Sequence, residues 1–516
     1  MFGWMGIMEE LTYSNYHLLI IPTVLIPLTM VSMGVSVVAT FIAGLFGIKL
    51  KAEGPKRLLE LLLRPRILVS ALILNFSILG GVWVYKYVKN LPVFMFNINR
   101  ANAKLVKAAP NTQYMSINER KNSFKLSHIA PNKFTSQLDK QIKLEGGVFR
   151  AAAITRDSLF IGTSKGYVYE IERNTLKTKR KFYTGTFVTP APLIWNNKLV
   201  FGEGVHHTQN ARIYFFDLNT GLLEKYFTSK GHTEGQGTFA KYSEKGKIYE
   251  RLFAVAGGDG VYALDPNTLE VKWHNIDGHN DASVIVKDHQ VFVGTGREKG
   301  DAKKYRSYAI SYHFISGKTL WKRELPASSW MKPTLTKADV CFVYGEIYFK
   351  SEVGGIQCFD QKSGLPTQIY AMMAPVASIP LTLNNDIVFA DNQGNICRID
   401  TKNRRMKWCQ KTHNSNKRTY SPVSYDPYKN TLVYSSQMNG LYVLHPDTGK
   451  ILSHWLPKDG VAKPNKDKDK SHPKNPNQWH KSYASPMVTA EGWYIVDMQG
   501  HLRLLKPRKL LAHKAK

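Results

Sequence analysis

A short hairpin that recurs along the chain constrains the fold more than any other feature of this sequence. Its clearest copy is GGDGVYALDPNTLEVKW, Gly257 to Trp273. It reads as a Gly-rich turn, a strand alternating Val261, Ala263 and Asp265 against Tyr262 and Leu264, a Pro-Asn-Thr turn, and a second strand closing on Trp273. A lone hairpin buries too little surface to be stable in water, so it needs copies of itself. They are present as YVYEIERNTLK from Tyr167, IYFFDLNTGLL from Ile213, AISYHFISGKTLW from Ala309, GGIQCFDQKSG from Gly354, GNICRIDTKNRRMKW from Gly394, NGLYVLHPDTGKIL from Asn439 and a degenerate QGHLRLLKP from Gln499. The first hydrophobic strand positions, Val168, Ile213, Val261, Ala309, Ile356, Ile396, Leu441 and Leu502, recur about every 40 to 50 residues, with a longer final interval. That period fits a four-stranded propeller blade, and the copies predict an all-β, eight-bladed β-propeller.

A second element precedes each hairpin, as in KLVFGEG from Lys198, QVFVGTG from Gln290, DIVFADNQG from Asp386 and TLVYSSQMNG from Thr431. These read as second strands of blades, and the small or Gly residues after them let the chain turn tightly. Thr189-Pro190, Ile379-Pro380, Ser421-Pro422 and Ser485-Pro486 mark the approach to first strands, where a missing N–H costs little. LDKQIKLEGG, Leu138 to Gly147, reads as an outer strand with no inner strands before it, while Ser485 onward supplies three strands and then stops. The two fragments together make one blade. Joining them closes the ring and removes the free edge between first and last blades.

The repeat, an aromatic or aliphatic residue followed by Ala-Leu-Asp, Thr-Gly-Lys and Trp, resembles that of the pyrroloquinoline-quinone-type β-propellers over about residues 135 to 507. That family includes quinoprotein dehydrogenases and BamB, the propeller lipoprotein of the outer-membrane β-barrel assembly machinery. For the dehydrogenases the resemblance implies a quinone at the propeller axis, commonly with Ca²⁺, a catalytic carboxylate, a stacking Trp and often a disulfide between adjacent cysteines. Here Cys341, Cys358, Cys397 and Cys409 include no adjacent pair. For BamB it implies a scaffold for other envelope proteins, although no lipoprotein Cys stands near this N-terminus.

Ahead of the propeller, the uncharged apolar run Leu18 to Ile48 is long enough to span a bilayer, and Pro22 and Pro27 kink or delay its first turns. A second run, from Ile67, reaches an aromatic and basic group at Trp83, Tyr85, Lys86, Tyr87 and Lys89 that suits a membrane interface. Lys49, Lys51, Lys56, Arg57, Arg64 and Arg66 lie between the runs, whereas the N-terminal flank carries Glu9 and Glu10. The positive-inside rule puts residues 49–66 in the cytoplasm. This gives a two-span anchor over 1–90, with spans at about 18–48 and 67–88, and an uncleaved single-span signal-anchor as the alternative. Residues 91–133 read as a polar stalk, 134–507 as the propeller, 456–478 as a Lys-rich insertion within it, and 508–516 as a basic tail. The expected location is a bacterial inner membrane with the propeller in the periplasm.

The formal charge of +31 favours anionic partners, yet the chain has no zinc-finger spacing, basic-zipper heptads or RNA-recognition signature, so nucleic acid is not the expected partner. Lys458, Lys463, Lys466, Lys468, Lys470 and Lys474 of the insertion are the candidate residues for docking a partner or an anionic surface; a solvated loop is the plainer reading. Asp217, Asp265, Asp360 and Asp400 recur at one repeat position and read as turn-forming carboxylates, and Trp273, Trp321 and Trp408 as packing between blades. His206-His207 with His232 raise the question of a metal, but no HExxH or Cys-His spacing supports one, and they read as surface histidines. No P-loop motif is present. No catalytic, cofactor-binding or metal residue is therefore assigned. The four cysteines are expected as free thiols, with Cys397 and Cys409 on one hairpin and their register open.

The favoured function is a membrane-anchored, non-catalytic propeller scaffold whose partners are envelope or inner-membrane proteins and the anionic membrane surface, with no cofactor. One alternative is a membrane-bound dehydrogenase using pyrroloquinoline quinone and Ca²⁺. Another is a periplasmic sensor or ligand-binding module.

Overall fold

The computed structural model describes residues 114–115, 123–124, 134–297, 306–347, 353–412, 420–437, 439–458 and 481–509. The expected membrane spans, the basic loop between them, most of the stalk, residues 459–480 with Lys463, Lys466, Lys468, Lys470 and Lys474, and the tail beyond 509 lie outside them. Among the described residues no helix is long and apolar enough to cross a membrane.

The strands form eight sheets, each with four antiparallel strands at its heart. Blade 2, for example, runs Leu193–Trp195, Lys198–Gly202, Arg212–Asp217 and Leu223–Thr228 from its innermost strand outward. Blade 8 is the composite expected from the sequence: Met487–Val488, Trp493–Val496 and His501–Lys509 are completed by Phe134–Lys143 as its outermost strand. The junction is antiparallel from Lys143 opposite His501 to Phe134 opposite Lys509.

The cores lie between blades. In blade 7, Leu432 and Tyr434 pack with Val388 and Ile396 of blade 6, whereas Val433 between them packs with Trp493 and Ile495 of blade 8. A strand buried on both faces reads as a continuous apolar run, which is why the second strands carry stretches such as LVY and VFV. The seam between blades 8 and 1 is closed in the same way, with Met487, Tyr494 and Leu502 against Leu159 and Tyr169.

Each repeat Trp docks on the following blade. The indole nitrogens of Trp273, Trp321 and Trp408 donate to the carbonyl oxygens of Phe314, Gln361 and Pro446 at 3.0, 3.0 and 3.2 Å. Each ring covers the turn Gly of that blade: a Cβ on Gly364, at φ 66°, would meet the Trp321 ring at 2.5 Å. The glycine of the Thr-Gly-Lys and Ser-Gly signatures is thus required both by backbone conformation and by lack of space. The repeat carboxylates are turn formers, as expected. Asp217 accepts from the backbone N–H of Asn219 and Thr220 at 3.0 and 2.8 Å, and Asp360 from Lys362 and Ser363 at 3.1 and 2.8 Å.

Two findings depart from the expectations. The cysteines are paired: Cys341 with Cys358 and Cys397 with Cys409. The register that the sequence left open places each pair at directly opposed cross-strand positions, so the side chains share a face. The segment expected as stalk also enters the ring. Tyr114–Met115 adds to the innermost strand of blade 1, Ala153–Ile154, and Ser123–Phe124 pairs in parallel with the innermost strand of blade 6, Leu381–Leu383. The inner edge of a propeller blade faces the axis, so the protein's own chain occupies two of those edges.

Candidate functional site

Antiparallel blades put two kinds of connection on one face of the disc: the turn from second to third strand, and the link from one blade to the next. In blade 1 the former is the tight turn Thr163 to Gly166, and in blade 8 it is Asp497 to Gly500. In blade 2 it is longer, running from Glu203 to Ala211 between strands Lys198–Gly202 and Arg212–Asp217, and it carries His206. The link from blade 2 to blade 3 carries His232 and Glu234, and the link from blade 3 to blade 4 carries His279 and Asp281.

These three loops bring four donors together. One atom each of His206, His232, His279 and Asp281 lies within 4.8 Å of every other. Asp281 Oδ1 is 3.0 Å from His232 Nε2 and 3.1 Å from His279 Nε2, and its Oδ2 is 3.8 Å from His206 Nδ1. Glu234 Oε1 stands 3.6 Å from His206 Nδ1 and 3.9 Å from His232 Nε2. The His206 and His232 rings meet edge-on at 5.2 Å, and His279 lies edge-on to Trp330 at 5.8 Å.

The surface reading of these histidines is corrected for His232, whose side chain is only 4% exposed. His206 is partly buried, and His207 alone of the three points to solvent. Room for the His232 ring comes from the first Gly of the GGDG turn. A Cβ on Gly257 would lie 2.4 Å from the ring, and its φ of 56° disfavours a side chain as well. Backbone hydrogen bonds between Gly257 and Asn280, in both directions, fix the link that presents His279 and Asp281.

The two carboxylates differ in ionisation. Burial would raise the Asp281 carboxyl, but hydrogen bonds from His232 and His279 and their charge outweigh it and hold the group well below the usual range. Burial, followed by the nearby Asp281 charge, pushes Glu234 up to about 7. Beside the cluster a narrow, solvent-open funnel is lined by Arg150, Glu234, Asp281, Trp330 and Lys332, all from links between blades. Basic and acidic groups therefore face one another at the mouth of the axis. Three imidazoles do not suit Ca²⁺, which takes six to eight oxygen ligands, so this cluster does not fit the calcium of a quinone site.

Of the lysines expected to dock a partner, Lys458 is exposed at the end of the described part of blade 7, and the others lie outside the described residues. The signal missed in the sequence was the length of the blade 2 turn, where EGVHHTQNA replaces a tight turn and brings His206 to Asp281.

The fold defines an eight-bladed propeller of four-stranded blades. The family model described as outer membrane protein assembly factor BamB matches residues 306–455, from the third strand of blade 4 to the outermost strand of blade 7. The crystal structure of BamB from Moraxella catarrhalis is similar with a TM-score of 0.50 at 12% identity, covering 72% of this chain and 99% of that one. The computationally designed Ika8 protein is similar with a TM-score of 0.51 at 14% identity, covering 73% and 100%. No curated protein matches the chain.

Proposed function

We propose that this protein is a membrane-anchored, non-catalytic propeller scaffold that binds other envelope proteins, with the disc in the periplasm and the anchor in the inner membrane of a bacterium. The observation that carries the reading is the match of blades 4 to 7 to the BamB model. A rigid disc presenting many loops is a physical basis for holding a partner, because recognition residues sit on loops fixed by a scaffold. Two disulfides support an oxidising compartment. The basic anchor loop and the excess of Lys and Arg support attachment to anionic lipid or to an acidic partner.

The dehydrogenase alternative places a quinone at the axis. Here the inner edges of blades 1 and 6 pair with residues 114–115 and 123–124, and the nearby cluster is built of imidazoles, so the scaffold reading is favoured. The test has two arms on the full-length chain in mild detergent. Crosslinking in cells followed by purification should recover a defined envelope protein whose association weakens with salt. Addition of pyrroloquinoline quinone and Ca²⁺ with alcohols, sugars and an artificial electron acceptor should give neither stoichiometric binding nor turnover. Turnover, or the absence of any reproducible crosslinked partner, overturns the proposal.

A further inference from the structure

We infer that His206, His232, His279 and Asp281 bind one divalent transition-metal ion of the zinc class on the funnel face. Zinc bonds to imidazole nitrogen at about 2.0–2.1 Å and is usually tetrahedral, so neighbouring donors in a zinc site stand about 3.4 Å apart. The Asp281 oxygens lie 3.0, 3.1 and 3.8 Å from the three imidazole nitrogens, which brackets that edge length. All four donors lie within 4.8 Å of one another, so closing the shell calls for the imidazoles to draw in by about an ångström.

Donor chemistry narrows the ion. Three imidazoles and one carboxylate suit zinc and its transition-metal neighbours, whereas Mg²⁺ and Ca²⁺ call for oxygen. Charge is compatible as well. Asp281 offsets one unit of a dication, and Glu234, with Oε1 3.6 Å from His206 Nδ1, lies close enough to contribute a second.

The surroundings resemble a supported site more than a chance gathering of histidines. His232 is held against Gly257, where no other residue leaves space for its ring, and the Gly257–Asn280 bridge sets the position of His279 and Asp281. Groups that hold ligands in place in this way commonly govern metal affinity. A complete set of four protein ligands is the pattern of a structural ion, so the expected role is a staple joining the blade 2 turn to the links that start blades 3 and 4. This inference does not depend on the identity of any partner protein.

The experiment is a titration of the purified, chelator-treated full-length chain with Zn²⁺ alone, followed calorimetrically, and with Co²⁺, followed by its visible absorption. One equivalent of Zn²⁺ should bind, Co²⁺ should give the intense bands of tetrahedral coordination, and Mg²⁺ and Ca²⁺ should not compete. His279→Ala and Asp281→Asn should each weaken binding at least about 100-fold, the upper end of what even outer-shell changes cost. His207→Ala, one residue from a ligand but solvent-facing, should leave affinity unchanged. His206→Ala removes the most exposed of the four donors, so it tests the site with least risk to folding, and it too should abolish the tetrahedral cobalt spectrum. Failure to bind one equivalent of Zn²⁺, or retention of binding and spectrum in folded His206→Ala and His279→Ala proteins, overturns the inference.

Discussion

On the face formed by the turns after the first and third strands, one device recurs: an indole from one blade seated on a turn glycine of the next, with Asp360, or a histidine in its place at His313 and His445, accepting from the turn's backbone. On the opposite face the connections differ from blade to blade, and a cluster of three histidines and two carboxylates gathers from three of them. On the first face three of the seams are held by nearly equal contacts. The second concentrates polar groups at one sector beside the axis, where they are expensive to bury unless they are paired. Regularity here marks stability, and irregularity marks the place where chemistry can be added.

The comparison is broken most directly at the docking sites. Trp321→Ala should lower stability by about 3–5 kcal/mol, the usual cost of truncating a buried Trp. Gly364→Ala should cost about 2–4 kcal/mol, from the positive φ and the clash with the same ring. The double variant should cost less than the sum, since the cavity left by one change accepts the methyl of the other. Denaturant unfolding of all three variants checks this. Strict additivity would show that the indole and the glycine are not one device.

The seam between blades 5 and 6 is a gap in that device. The outermost strand of blade 5, Pro366–Met372, has no Trp, and Gln368 instead donates to the Thr401 carbonyl at 2.9 Å. Cys341, Cys358 and Cys397 pack in the core of this seam. Labelling the unfolded, unreduced chain should find no reactive thiol. Each bridge closes a loop of about the size for which roughly 3 kcal/mol is expected, so Cys341→Ala/Cys358→Ala should destabilise by about that amount.

On the funnel face, Asp497 sharpens the contrast. Burial would raise its carboxyl, but the hydrogen bond from His501 and the charges of Arg503 and His501 outweigh that and bring it to about 2. A depressed folded-state value adds stability that is fully present above the unfolded value of about 3.8 and is lost as pH falls from about 4 to about 2. The wild-type chain should lose about 2 kcal/mol across that window through this group. Unfolding curves for Asp497→Asn should lack this component. An identical pH profile would remove Asp497 from the account.

The smallest effect belongs to the turns. Asp217→Ala removes acceptors for two backbone N–H groups in an exposed turn, and should cost about 0.5–1 kcal/mol by thermal unfolding. A loss as large as that of Trp321→Ala would mean that the turn, not the indole, anchors the blade.

How much was legible follows from this division. The blades, their second strands, the turn carboxylates, the docking tryptophans and the composite blade 8 could all be read from the sequence, because each is written several times or required by an unpaired edge. The metal-type cluster could not. Its donors come from positions 206, 232, 279 and 281, none at a repeat position, and only the fold brings their loops together. Cys397 and Cys409 were visible on one hairpin, yet facing each other depends on a single-residue register. The strands at 114–115 and 123–124 are two residues long and show no periodicity by which to find them.

The composite blade also sets a timetable. Gln141 meets Arg503 across 362 residues, so the first propeller strand to leave the ribosome waits for nearly the whole disc to be made. At about 5–20 residues per second, that wait is on the order of 20–70 s. Throughout it the strand is an open edge, the kind of surface on which chains aggregate. Its sequence suits the delay: Gln137, Asp139, Lys140 and Lys143 remain exposed even in the finished ring, so the waiting edge is charged and polar. Completion of the ring is thus a late event in the life of the nascent chain, and solubility until then rests on a strand chosen for how it behaves alone.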